Sequence, residues 1–295
     1  MGYHRPADLG TALEILSGQA PRLIAGGTDL FPAIEGPLQG EILDLTAIPE
    51  LQGIRHTERG WRFGAAVKWA EIAAADLPPC FAALQQAARR IGGIQIQNSA
   101  TLAGNLCNAS PAADGVPPLQ VLDAAIETAS RSGSRMLPLA EFITGPRKTA
   151  LKDGEMVIAV HVADRSAAGA SAFEKLGARA HLVISIAMAA ARVVLDGGRI
   201  ARAAVSIGAC SPVARRMPDF EAALAGAPAS DLERLRPVLA QEAAARLSPL
   251  DDMRASAGYR TEMAVEITLR AVARAIGEAG ETGDTGNAEG DCHGG

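Results

Sequence analysis

Residues 91 to 118 carry a single charged side chain, Asp114, although the segment is dense in Gly, Asn, Ser and Pro. That composition reads as loop, and so long a loop inside a compact domain is usually a functional element rather than a connector. Within it, Asn98-Ser99-Ala100-Thr101-Leu102-Ala103-Gly104-Asn105-Leu106 is followed by Asn108-Ala109-Ser110-Pro111-Ala112-Ala113-Asp114. Hydroxyls, amides and small residues stand side by side there with no cation. A pyrophosphate can be held in that way, by fixed dipoles and amide donors. Asp114, the lone acid, can accept two hydroxyls of a ribose. By composition alone the stretch serves a structural loop equally well.

A second glycine-rich segment tips the balance. Arg22 to Ala25 is a short apolar run that stops at Gly26-Gly27, the pattern of a strand entering a tight turn. Two glycines after a strand let the backbone adopt positive φ and approach a ligand closely. Their N–H groups and the Thr28 hydroxyl can form a nest for a phosphate. The GxGxxG spacing of a Rossmann fingerprint is absent. Two such loops followed by an acid favour a dinucleotide over two idle turns.

The flanking pattern mixes strands and helices without strict alternation, so the fold class is α+β rather than a doubly wound sheet. Asp8 is placed to cap a helix through Leu16 with Leu9, Leu13 and Leu16 on one face. Glu41 to Leu45 and Trp61 to Gly64 read as strands, and Lys68 to Ala75 and Phe81 to Arg90 as helices separated by Pro78-Pro79. Met156 to Val162 and His181 to Leu195 fit strand or buried helix, which periodicity cannot arbitrate. Asp196-Gly197-Gly198 signals a hairpin into Ile200 to Gly208. Helical patterns follow over Asp219–Leu224, Asp231–Arg246 and Gly258–Ile276. A domain boundary is expected near residues 163–170, and the Gly- and charge-rich stretch 278–295 is expected to be disordered.

Composition narrows the function. The 295 residues carry 28 Lys plus Arg against 33 Asp plus Glu, a mildly acidic balance that gives no support to nucleic-acid or anionic-membrane binding. No run reaches the roughly 18–20 apolar residues of a membrane span. The N-terminal Met1 to Asp8 has no apolar signal core, which points to the cytoplasm. Cys80, Cys107, Cys210 and Cys292 form no CxxC pair, and His4, His56, His161, His181 and His293 are equally scattered. An iron–sulfur cluster needs about four thiolates in short motifs, so neither a cluster nor a zinc site is expected in this chain, and no catalytic residue is assigned.

Ile24-Ala25-Gly26-Gly27-Thr28-Asp29, taken with Ile91-Gly92-Gly93 and the Gln95-to-Asp114 stretch, resembles the FAD-binding medium subunit of the xanthine dehydrogenase and carbon monoxide dehydrogenase family, the molybdenum hydroxylases. Ser171-Ala172-Phe173-Glu174-Lys175-Leu176-Gly177-Ala178-Arg179 is similar to the opening strand of that family's second domain. Asp252 to Arg260 is similar to its closing helix, so the resemblance runs to about Ile276. It implies a two-part FAD-binding domain of the vanillyl-alcohol oxidase (PCMH) type over residues 1–165, then a smaller α+β flavoprotein C-terminal domain over 170–277. It also implies site residues. Leu23, Ile24, Ala25, Gly26, Gly27, Thr28, Asp29 and Leu30 would wrap the FAD pyrophosphate, and Thr101, Leu102, Ala103, Gly104 and Asn105 would form the second loop. Asp114 would hold ribose or ribityl hydroxyls. Ile91, Ile158 and Lys175 match positions that pack on the cofactor or contact its edge.

Four departures from the family pattern stand out. Ala100 and Ala103 replace Gly, so a requirement for positive φ there would carry strain. Gln97 replaces a common Arg, and Ile91 replaces an aromatic. The resemblance further implies an electron-transfer subunit without a metal of its own. Molybdopterin would sit on a large partner and 2Fe-2S clusters on a small one, as a dimer of heterotrimers that delivers electrons to NAD or another acceptor. The alternative is a self-contained flavin oxidoreductase of the same binding superfamily.

Overall fold

In the computed structural model, which describes residues 2–36, 39–180 and 182–284, the chain starts on a small parallel sheet. Strands β1 (Tyr3–His4) and β2 (Arg22–Ile24) both pair with β3 (Ile42–Asp44), giving the order β1-β3-β2. Helix α1 (Leu9–Gln19) joins the first two, and Asp8 caps it by accepting from the Thr11 amide at 2.8 Å. Leu16 of the expected apolar face is buried, and Leu9 and Leu13 pack partly buried against the same core. A second, antiparallel sheet has the order β4-β5-β10-β6-β7. Its strands are β4 (Ile54–Thr57), β5 (Gly60–Gly64), β6 (Ala125–Ser130), β7 (Gly133–Pro138) and β10 (Met156–Val162). Helices α2 (Trp69–Ala74) and α3 (Ala82–Arg90) follow β5 as the spacing predicts.

The uncharged stretch is not the open loop its composition suggests. It folds into three short helices, α4 (Ile94–Gln97), α5 (Leu102–Asn108) and α6 (Val116–Val121). Thr101 caps α5 by accepting from the Gly104 amide at 3.2 Å. Pro117 and Pro118 occupy the first turn of α6, where a missing N–H costs nothing. All six residues of α6 are buried, as are Leu102 and Leu106. Burial therefore explains much of the missing charge. Helix α7 (Leu139–Phe142) and the ribbon β8 (Ile143–Gly145) with β9 (Lys148–Thr149) complete this half.

The second half is built on a four-stranded antiparallel sheet, order β11-β12-β13-β14. It comprises β11 (Ala170–Leu176), β12 (Ala187–Asp196), β13 (Arg199–Gly208) and β14 (Arg215–Arg216). The ambiguous run after His181 is strand from Ala187 onward. It reads as continuously apolar because β12 is covered on both faces. Ala187, Ala189, Ala191 and Val193 face a core shared with α8 (Pro218–Leu224), α9 (Arg236–Arg246) and α10 (Ala257–Asp284). Met188 and Ala190 instead join Phe173 against Ala83, Ala87 and Val121 of α3 and α6. The hairpin turn Gly197-Gly198 has both φ positive, at 53° and 76°, as a two-residue type I′ turn requires. Two helix expectations are corrected. Helix α9 begins only at Arg236, because Pro237 fits the first turn and a 3-10 turn over Leu232–Leu235 precedes it. Helix α10 runs on to Asp284, so residues 278–284 are helical rather than disordered, and the rest of the expected tail lies outside the described residues.

Polar side chains stitch the two halves together where apolar packing leaves backbone groups unpaired. The Ser171 hydroxyl accepts from the Ala83 amide at 2.9 Å and donates to the Cys80 carbonyl at 2.7 Å. Gln120 accepts from the Ser206 hydroxyl at 2.6 Å and donates to the Ala214 carbonyl at 3.1 Å. The strongest link is ionic. Lys175 Nζ, from β11, lies 2.5 Å from Asp114 Oδ2, and Ser185 donates to the other carboxylate oxygen at 2.6 Å. Both charged side chains are more than nine-tenths buried, at 7% and 8% exposure. Burial pushes the Asp114 carboxyl above the usual carboxylate range, while Lys175 and Ser185 pull it back down.

Removing one partner of such a pair strands a buried charge. Lys175→Met is expected to lower unfolding stability by about 3–5 kcal/mol at about pH 7. The orphaned carboxyl, raised further, binds a proton in the folded state more readily than in the unfolded chain, so stability rises as pH falls. The deficit in urea unfolding should therefore be smaller at about pH 5 than at about pH 7. An equal deficit at both would show that Asp114 is not the stranded group.

Candidate functional site

Strand β2 ends at Ile24, whose carbonyl accepts from the Leu45 amide at 2.9 Å, and the chain then turns through Ala25 to Leu30. Gly26 is required by proximity rather than by dihedral angle. A Cβ on it would lie 2.1 Å from the Ser99 carbonyl oxygen and 2.8 Å from Ala100 Cα. The two glycine-rich segments, far apart in sequence, therefore touch backbone to backbone. Gly27 is required for a different reason, since its φ is +68° and a Cβ would meet the Phe31 ring at 2.5 Å.

Around this contact lies a cavity of about 870 Å³, the size of a cofactor site. Leu23, Ile24, Ala25, Gly26, Gly27, Thr28, Asp29 and Leu30 all line it. So do Ile91, Thr101, Ala103, Gly104, Asn105, Asp114 and Lys175. Two expected residues do not. Leu102 is fully buried in the core behind α5. Ile158 also packs in the core, at a register shift between Val157 and Ala159 of β10, while Met156 and Val157 take the wall.

The loops offer different chemistry. Among the described residues, the amides of Gly26, Gly27, Thr28 and Asp29 have no hydrogen-bond partner in the protein. The first amides of α5 are already engaged: Leu102 donates to Val67 O, Ala103 to Ala65 O and Gly104 to Thr101 Oγ1. Only the first loop thus presents a row of open N–H groups, an arrangement suited to anionic oxygens. The second presents the Thr101 hydroxyl and the Asn105 side chain. Asn105 Oδ1 and Trp69 Nε1, both of cavity-lining residues, are buried without partners.

Two of the departures from the family pattern concern glycine positions. Neither Ala100 nor Ala103 is among the left-handed residues, so no strain arises at either. Gln97 donates to the Arg89 and Ile91 carbonyls at 3.1 and 3.2 Å, bracing the end of α3. The wall also contains residues that the sequence pattern did not single out. Leu182, Val183 and Ile184, from the connector between β11 and β12, close one side with apolar surface. Arg147 lines another beside Cys107 and Asn108 of α5, so a cation besides the paired Lys175 reaches the cavity from outside both loops. A Pro146-Arg147 turn between two short strands gave no local signal of this.

Residues 1–163 match the family model for the FAD binding domain in molybdopterin dehydrogenase, and residues 171–275 match that for the CO dehydrogenase flavoprotein C-terminal domain. The chain is 32% identical over 290 residues to a putative xanthine dehydrogenase FAD-binding subunit of Escherichia coli K12, covering 94% of this chain and 97% of that one. It is 30% identical over 288 residues to the carbon monoxide dehydrogenase medium chain of Afipia carboxidovorans, with coverage of 94% and 97%. The structure superposes on a chain of Cu,Mo-CO dehydrogenase with a TM-score of 0.86 and 26% identity, covering 95% of this chain and 98% of that one. For quinoline 2-oxidoreductase from Pseudomonas putida 86 the TM-score is 0.85 with 26% identity and the same coverage. With both halves matched and nearly the whole length aligned, the chain belongs to the FAD-binding subunits of the molybdenum hydroxylase family, the flavoprotein components of oxidoreductases such as xanthine and carbon monoxide dehydrogenase.

Proposed function

We propose that FAD occupies the cavity with its diphosphate on the open amides of Gly26 to Asp29, and that this chain passes electrons from 2Fe-2S clusters on a small partner subunit to NAD or another acceptor. The row of unpartnered N–H groups along the wall of a cofactor-sized cavity carries this reading. Bound FAD supplies the redox chemistry, and the protein supplies position and electrostatics. Thr101 has a hydroxyl hydrogen left to donate, because its oxygen serves only as acceptor for Gly104. Asp114 keeps lone pairs free beyond those used by Lys175 and Ser185, enough to accept cofactor hydroxyls. Ile91 and the Leu182–Ile184 connector exclude water from the apolar side. Leu102 and Ile158 act from behind the wall by packing.

The wider assignment is a large molybdopterin subunit and a small 2Fe-2S subunit joining this chain as a dimer of heterotrimers in the cytoplasm. Residues 1–165 form its FAD-binding domain and 170–277 the C-terminal domain. Among the described residues, no three His, Cys, Asp or Glu side chains are grouped so as to hold a metal ion. No helix of the described residues is long and apolar enough to cross a membrane.

Two experiments test this. Gly27→Val should lose FAD far more completely than Gly93→Val, as read by flavin absorbance after dialysis. A Cβ at Gly93 meets only the movable ends of Leu182 and Gln95, whereas at Gly27 it also violates the backbone conformation. Equal occupancy in both variants would count against the first loop. The second experiment concerns activity. The chain expressed alone should hold FAD and pass electrons from NADH to a dye, yet oxidise no heterocycle, aldehyde or carbon monoxide until partners are added. Sustained substrate oxidation by the isolated chain would promote the self-contained oxidoreductase.

A further inference from the structure

One chain of side-chain contacts runs along the cavity rim from the first loop to a distant hairpin. Asn108, the last residue of α5, donates from Nδ2 to Asp29 Oδ1 at 2.7 Å. Its Oδ1 in turn accepts from Arg147 Nη1, which also reaches the Asn108 carbonyl at 3.2 Å. A donor on one side and an acceptor on the other fix the orientation of the Asn108 amide. All three residues line the cavity.

The backbone beneath is unusual. Arg147 has φ 58° and Ala109 has φ 45°, both left-handed, and the Arg147 amide donates to the Ala109 carbonyl at 2.9 Å. Non-glycine residues adopt that conformation uncommonly, and it costs energy that surrounding structure must hold in place. Glycine would take the turn between β8 and β9 without strain, yet the chain places an arginine there. A strained position occupied by a long cation at a cavity rim points to a use for the side chain itself.

That use follows from charge. Among the open amides is that of Asp29, whose exposed carboxylate would repel an approaching diphosphate. Neither glycine-rich loop contains a cation to offset it. We infer that Arg147 is the positioning residue for the diphosphate of the cofactor: held by Asn108, its guanidinium compensates Asp29 and fixes the first loop against α5. This assignment rests on the placement of FAD in the cavity. It predicts that Arg147 matters for the phosphate-bearing part of the ligand and not for the flavin ring.

The test compares FAD with riboflavin, which lacks the diphosphate, by fluorescence titration of flavin-free full-length protein. Arg147→Gln should bind FAD about ten- to a hundredfold more weakly, the loss expected for a charge-assisted contact. Riboflavin affinity should stay unchanged, which a merely unfolded or loosened site would not allow. Asn108→Ala should weaken FAD in the same selective way, and its effect should not add to that of Arg147→Gln, because the two act through one contact. Arg147→Lys, which keeps the charge without the fork, should recover part of the loss. A wild-type chain that prefers FAD to riboflavin, with an Arg147→Gln variant that prefers it equally, overturns this assignment alone. A wild-type chain that binds neither flavin overturns the cofactor placement and this assignment with it.

Discussion

The close approach of Gly26 to Ser99 decides the shape of the N-terminal half. Two backbones can run this near each other only where no side chain intervenes, and a single methyl group would overlap the Ser99 carbonyl. The contact sets the spacing between the end of β2 and the start of α5. That spacing brings the open amides of the first loop opposite Thr101 and Asn105 and opens the cavity between them. Gly27, one residue on, then turns the chain away through a left-handed conformation. Each of the two glycines is needed for its own physical reason.

The cavity is finished by the second half of the chain. Its sheet is clamped between α10 on one face and α3 with α6 on the other, which fixes where the connector between β11 and β12 can lie. Lys175 and Ser185 mark the two ends of that connector, and both reach Asp114. The ion pair is a costly device, because two charges leave water to form it. What it secures is register: the apolar residues Leu182 to Ile184 are held over the cavity by anchors on either side.

Local signals were legible where one short segment contained its own reason. Asp8 capping α1, the Gly197-Gly198 hairpin and the strand stopping at Gly26 are of that kind. The stretch from Ile91 to Pro118 misled in part, because absence of charge reflects burial as readily as ligand contact, and α6 is buried. Helix α10 outran its apolar pattern, since a helix already anchored by packing extends into polar sequence at little cost. The β6–β7 hairpin passed unremarked, its turn at Arg131-Ser132 flanked by polar residues rather than by an alternating apolar pattern.

The sequence by itself determined the chemistry of the site. Which loops are glycine-rich, where the one acid stands, and which family the pattern resembles all follow from residue type and spacing. Only the tertiary structure decided which groups remain free to act. It spent the first amides of α5 on Val67 and Ala65, left those of the first loop open, and turned Leu102 and Ile158 into the core. It also carried Arg147 to the rim through a contact 39 residues distant in sequence. Hydrogen-bond partners and side-chain direction depend on what packs alongside, and that is set by contacts between segments that no local pattern encodes.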